Sequence, residues 1–116
     1  HLIGSVSIPT TKGAILFLED VGEYLYNIDR MMIQLKRSGL LAKLSGLVVG
    51  GFTEIKYAKI PFGSSAEQII RSMVDEYDYP VCFGFPVSHD QNNLALKHGV
   101  THRLNITTRS VRLEEI

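Results

Sequence analysis

Glu19 and Asp20 stand at the end of the apolar run Ile15 to Leu18, and His89 lies seventy residues further on, in a stretch rich in His, Asn and Asp. An apolar run that drives into two carboxylates reads as a buried strand with a polar carboxyl end. Ligands of open α/β sheets bind just beyond such ends. A histidine held by a carboxylate is the base-plus-orienter pair of nucleophilic hydrolases. The carboxylate fixes the imidazole tautomer and stabilises the imidazolium, while the other ring nitrogen takes the nucleophile's proton. Sequence separation sets no limit on such a pair, which is defined in space. The plain alternatives are a solvent-exposed loop histidine and a carboxylate that caps a turn.

Other polar residues admit blander readings. Asp20 suits a cap on the turn before a helix, and Glu23 suits that helix's positive first turn. Asp29 and Arg30 read as a solvated charge pair. Gly50-Gly51 permits close backbone approach, of use to an oxyanion or ligand and equally to a tight turn. Asn92 and Asn93 can position a substrate or shape their loop. His98 and His102 flank Gly99 at surface positions. Ser64, in "FGSSAE", lacks the Gly-x-Ser-x-Gly elbow and is accounted for by helix capping. Ser88 adjoins His89 and is too near in sequence to serve as its nucleophile. The chain thus offers a base and an orienter but no nucleophile.

These residues need a framework. Residues 1–13 begin as an edge strand and turn at Pro9 and Gly13. Ala14 to Leu18 reads as a strand buried on both faces. Ile28, Met31, Met32 and Leu35 recur at spacings of three and four, which predicts a helix over Tyr26 to Lys36. Ser38-Gly39 stops that helix, and Lys36 and Arg37 suit its negative end. Leu44 to Val49 is a second buried strand, ending in the paired glycines, and a polar stretch from Thr53 to Gly63 follows. Ser64 and Glu67 form a capping-box signature for a helix running to about Tyr77. A third strand covers Val81 to Phe85, a long loop Pro86 to Gly99, and a hairpin Thr101 to Ile106 with Ser110 to Leu113. The order predicts an α/β fold, a largely parallel sheet with flanking helices and a C-terminal β-hairpin. If the strands are parallel, Glu19 and His89 share one rim of the sheet.

The bulk numbers fit one domain over residues 1–116. The chain is 45% hydrophobic and 21% charged, with 12 basic and 12 acidic residues and net charge zero. Scattered charge of both signs favours neither nucleic acid nor an anionic membrane surface as partner. No apolar run approaches the roughly 20 residues that span a bilayer. Cys82 is the single cysteine, so an internal disulfide and a Cys-based zinc cluster are ruled out. Its apolar setting, "PVCFGF", reads as a buried, inert thiol. The chain begins at His1 without an initiator Met, as part of a longer protein would.

The run "GAILFLEDVGEYLYNIDRMMIQLKRSGLLAKLSGLVVGGFTE" closely resembles the C-terminal domain of the LD-carboxypeptidases, the serine peptidase family of murein tetrapeptide carboxypeptidase and the microcin C self-immunity peptidase. "PVCFGFPVSHDQNN" matches that family's segment before its histidine, and the resemblance runs from about Gly13 to Leu104. It implies that 1–116 is the C-terminal half of a two-domain peptidase whose nucleophilic Ser lies in a separate N-terminal domain. Glu19 would then be the orienter and His89 the general base. The activity implied is release of a terminal D-amino acid, typically D-Ala, from murein tetrapeptide, without metal or cofactor. The enzyme implied is a cytoplasmic homodimer. Ser88 stands where the family usually has Gly before the His, and its Cβ restricts the loop. By this reading the 116 residues alone are inactive.

Two other classes compete. A phosphoacceptor receiver domain also has an acidic pair after its first strand. It needs an Asp ending the third strand and a Lys after the fifth, whereas "GLVVGGF" ends in glycines and "VCFGFPVSH" has no Lys. A non-catalytic binding or interaction domain on the same fold would tolerate replacement of Glu19 and His89, which a peptidase would not.

Overall fold

The computed structural model describes residues 1–116. Its elements are β1 (Ile15–Val21), α1 (Leu25–Arg37), β2 (Gly46–Thr53), α2 (Ala66–Val74), β3 (Val81–Cys82), β4 (His102–Ile106) and β5 (Val111–Glu115). The first three strands form a parallel sheet in the order β1-β2-β3, and β4 and β5 pair as a separate antiparallel hairpin. The α/β expectation with a parallel sheet and closing hairpin holds.

Each parallel crossover carries a helix, and the two helices pack on each other. In α1 the buried residues are Leu25, Ile28 and Met32, at helical spacing on one face. Met31, expected on that face, is 43% exposed. The helix ends as its sequence predicts. Gly39 is left-handed (φ 72°), and the N–H groups of Gly39 and Leu40 donate to the carbonyls of Lys36 and Leu35 at 3.0 and 3.1 Å. That is a Schellman termination, in which glycine accepts the positive φ without steric cost.

Odd and even residues of the strands serve different layers. Leu16 and Leu18 of β1 join Leu47 and Val49 of β2, Ile28 and Met32 of α1, and Ile69, Ile70 and Val74 of α2 in one hydrophobic cluster. Leu41, Leu47 and Ile70 are wholly buried; full burial of such a side chain stabilises by about 1.5–3 kcal/mol. The alternate residues face the other way. Ile15, Phe17 and Val48 line a cavity of about 330 Å³ whose far wall includes Leu113 of the hairpin. Gly46 lets Leu104 of β4 close over the sheet, because a Cβ there would stand 2.8 Å from Leu104 Cδ2. Helices therefore cover one face of the sheet, and the hairpin with its preceding loop covers the other.

Other expectations need correction, among them the end of α2, which stops at Val74 and not at about Tyr77. Residues 1–13 form no strand. β1 is half-buried along its whole length rather than buried on both faces, because it is an edge strand with β2 as its only neighbour. β2 does not stop at Val49 but runs through both glycines to Thr53. The cap of α2 is Ser65, with Gln68 completing the capping box, one residue beyond the Ser64–Glu67 pairing. β3 holds only Val81 and Cys82, since Gly84 takes a positive φ (67°) and turns the chain out of the ladder.

Candidate active site

Glu19 belongs to β1 itself, two residues before the strand ends. Side chains alternate along a strand, so Glu19 continues the row Ile15, Phe17 and faces the hairpin side of the sheet. Opposite it the ladder is irregular. Leu18 pairs with Val49 but Asp20 pairs with Phe52, so β2 spends one residue more than β1 across that step. The extra residue lies in the Gly50-Gly51 stretch and forms a bulge, a device that re-aims neighbouring side chains.

The chain after β3 is laid on this bulge. Phe85 N–H donates to Val49 O at 3.0 Å, and Gly51 N–H donates to Val87 O at 3.2 Å. A Cβ on Gly51 would stand 2.4 Å from Ser88 Cβ, so the paired glycines are what allow the loop so close. The loop is braced from within. Asn93 Oδ1 accepts the Ser88 N–H at 3.2 Å, Ser88 Oγ accepts the Asp90 N–H at 3.1 Å, and Leu94 N–H donates to Pro86 O at 2.8 Å. Ser88 therefore contributes a bond to the turn around His89, beyond the restriction its Cβ imposes.

These supports bring His89 Nδ1 to 3.0 Å from Glu19 Oε2. The Glu19 side chain is 27% exposed and that of His89 56%. With the carboxylate accepting from Nδ1–H, Nε2 is the unprotonated nitrogen and the basic end of the ring. The pair opens onto a shallow depression that Phe17, Asn93 and His98 also line. An anchored carboxylate, a preset tautomer and an accessible basic nitrogen make this arrangement fit to accept a proton from a nucleophile brought to it.

The remaining candidates disperse. Asp20 Oδ1 accepts the Val21 N–H at 2.8 Å and caps no helix. Glu23 Oε2 accepts the Tyr24 N–H and Asn27 Nδ2 at the start of α1. Arg30 lies over the Tyr26 ring instead of pairing with Asp29. His102 Nδ1 lies 3.2 Å from Val100 O. Cys82 is 5% exposed, and burial pushes its thiol pKa up, which suits an inert side chain. No three His, Cys, Asp or Glu side chains converge to hold a metal ion, and no helix is long and apolar enough to cross a membrane.

His98 is exposed, as its sequence setting predicts, and its ring stands edge-on to Phe17, 6.0 Å between centroids, on the lining of the same depression. The alternation Phe17, Glu19 was the available signal that whatever packs on Phe17 also neighbours Glu19.

The family model for the LD-carboxypeptidase C-terminal domain matches residues 1–104. The chain belongs to that family. This LD-carboxypeptidase domain is 31% identical over 104 residues to a probable murein peptide carboxypeptidase of Bacillus subtilis, covering 90% of the chain and 33% of that protein. It is 30% identical over 99 residues to the murein tetrapeptide carboxypeptidase of Pseudomonas aeruginosa, covering 85% of the chain and 31% of the relative. Among solved structures it superposes on the muramoyltetrapeptide carboxypeptidase of Oxalobacter formigenes with TM-score 0.84 at 31% identity, over 97% of this chain and 40% of that one. The LD-carboxypeptidase domain thus spans about a third of the length of the curated relatives it matches.

Proposed function

We propose that this chain is the acid–base half of a serine-type LD-carboxypeptidase, with His89 as general base and Glu19 as its orienter. The observation that carries the reading is the 3.0 Å contact between His89 Nδ1 and Glu19 Oε2, held on a strand and a braced loop in a domain of this family. The nucleophilic Ser and the oxyanion donors come from a separate N-terminal domain, and residues 1–116 form the C-terminal half of the enzyme. His89 Nε2 takes the Ser proton as the hydroxyl attacks the scissile carbonyl, and Glu19 stabilises the imidazolium. The same proton then passes to the leaving amine of the D-residue. Water, deprotonated by His89 in turn, releases the acyl group from Ser. The substrate class is murein tetrapeptide, with D-Ala released, in agreement with the names of the relatives. The reading carries with it a homodimer in the cytoplasm that needs no cofactor.

The test is hydrolysis of a peptide ending in L-Lys–D-Ala or diaminopimelate–D-Ala by the full-length protein. Glu19→Gln and His89→Ala each lower kcat by about 10²–10⁴, and residues 1–116 alone show no turnover. Near-native turnover in both variants would make this domain a non-catalytic binding module. Turnover by the 116 residues alone would remove the need for a second domain.

A further inference from the structure

We infer that the depression beside His89 receives the terminal carboxylate of the substrate, with His98 and Asn93 as its donors. This rests on the peptidase reading above. An exopeptidase acts only where a chain ends, so it must recognise a carboxylate about one residue, some 3.3–3.6 Å of chain, beyond the scissile carbonyl that His89 serves. The depression also holds the acids Glu19 and Asp90. An incoming anion is repelled there unless donors face it.

Glu19 is engaged with His89, and Asp90 Oδ1 accepts the Gln91 N–H. His98 is then the one basic side chain of the depression not engaged with Glu19. Its ring is steadied edge-on against Phe17, the residue that precedes Glu19 on the same face of β1. Asn93 supplies a second donor. Its Oδ1 accepts the Ser88 N–H, which orients the amide and leaves both Nδ2 hydrogens to donate. A ring N–H and an amide N–H together offer one donor to each carboxylate oxygen, and hydrogen bonds to an ionised acceptor are the stronger kind. The nearby basic groups are otherwise occupied: Lys97 Nζ pairs with Glu115, and His102 Nδ1 contacts Val100 O.

The experiment uses the full-length enzyme and two peptides that differ only at the C-terminus, one ending in a D-Ala carboxylate and one in D-alaninamide. The wild type prefers the carboxylate in kcat/KM. His98→Leu raises KM for the carboxylate peptide by about tenfold, with kcat within about twofold and the amide's KM unchanged, so the preference collapses. His98→Gln, which keeps an N–H donor, recovers part of it. Asn93→Asp keeps the acceptor for Ser88 N–H but loses the donors, and also weakens the preference. The subsite assignment is overturned if the wild type is active but indifferent to the terminus, or if His98→Leu shifts both KM values alike. If the wild type hydrolyses neither peptide, the peptidase reading itself fails and the subsite falls with it.

Discussion

A Cβ added to Gly50 would stand 2.1 Å from the carbonyl oxygen of Val87. The obstacle is backbone, two residues from His89, and Phe17 Cζ closes the other side at 3.0 Å. Gly50→Ala therefore lifts the loop off β2, strains the Gly51 N–H to Val87 O bond, and carries His89 away from Glu19. The expected cost is about 1–3 kcal/mol of stability, with the loss of the His89 contact visible in its ring resonances. Gly46→Ala is the comparison, since its nearest obstacle is the tip of the Leu104 side chain, which can rotate. A Gly50→Ala protein with native urea midpoint and an unmoved His89 signal would refute this account of the loop.

The start of α2 gives a test of register. Ser65 Oγ accepts the Gln68 N–H at 3.2 Å, and Gln68 Oε1 accepts the Ser65 N–H at 2.8 Å. Ser65→Ala lowers unfolding stability by about 1 kcal/mol, whereas Ser64→Ala stays within about 0.5 kcal/mol. Urea unfolding of the two single variants decides it; the reverse order would place the cap one residue earlier.

Tyr79 predicts a loss of stability in alkali. Its ring stacks on Tyr77 at 5.5 Å, and its buried hydroxyl has no hydrogen-bond partner. Burial, with smaller contributions from Tyr77 and Glu76, pushes its pKa up from 10.0 to about 12. Below the unfolded value both states keep the phenolic proton and stability is unaffected. Between that value and about 12 the unfolded chain releases the proton while the folded chain retains it, so stability falls as pH rises. Tyr79→Phe flattens this part of the profile and is neutral or stabilising at pH 7, because it removes an unpaired buried hydroxyl. Melting temperatures across the alkaline range measure it; identical slopes for wild type and variant would exclude Tyr79 as the cause.

Periodicity made much of the fold legible. The helix expected at Tyr26 to Lys36 is Leu25–Arg37; of Ile28, Met31, Met32 and Leu35, whose spacing predicted it, all but the exposed Met31 pack on the core. The misread boundaries cluster where tertiary contact overrides local signal. Gly50-Gly51 reads locally as a stop, yet β2 continues through it because the bulge and the Val87–Ser88 segment need backbone without side chains. Val81 to Phe85 reads as one strand, yet Phe85 bonds to Val49 only after the chain has turned at Gly84. Glu19 and His89 were legible as residue types at strand ends and through the family resemblance. The bracing from Ser88 and Asn93, and the place of His98 beside Phe17, arise from packing across layers that no local pattern encodes.

The two faces of the sheet have consequences for how the molecule is made. Synthesis runs from the N-terminus, and β1, α1, β2, α2 and β3 with their shared cluster are complete by Cys82. His89 and the hairpin that closes the second face come later, and the His89–Glu19 contact spans 70 residues. Contacts of such long range form late, because their loop closure is the most demanding. A nascent chain thus acquires its framework before the contact that crosses its second face, and Glu19 waits on a finished strand for its histidine until the last quarter of the domain arrives.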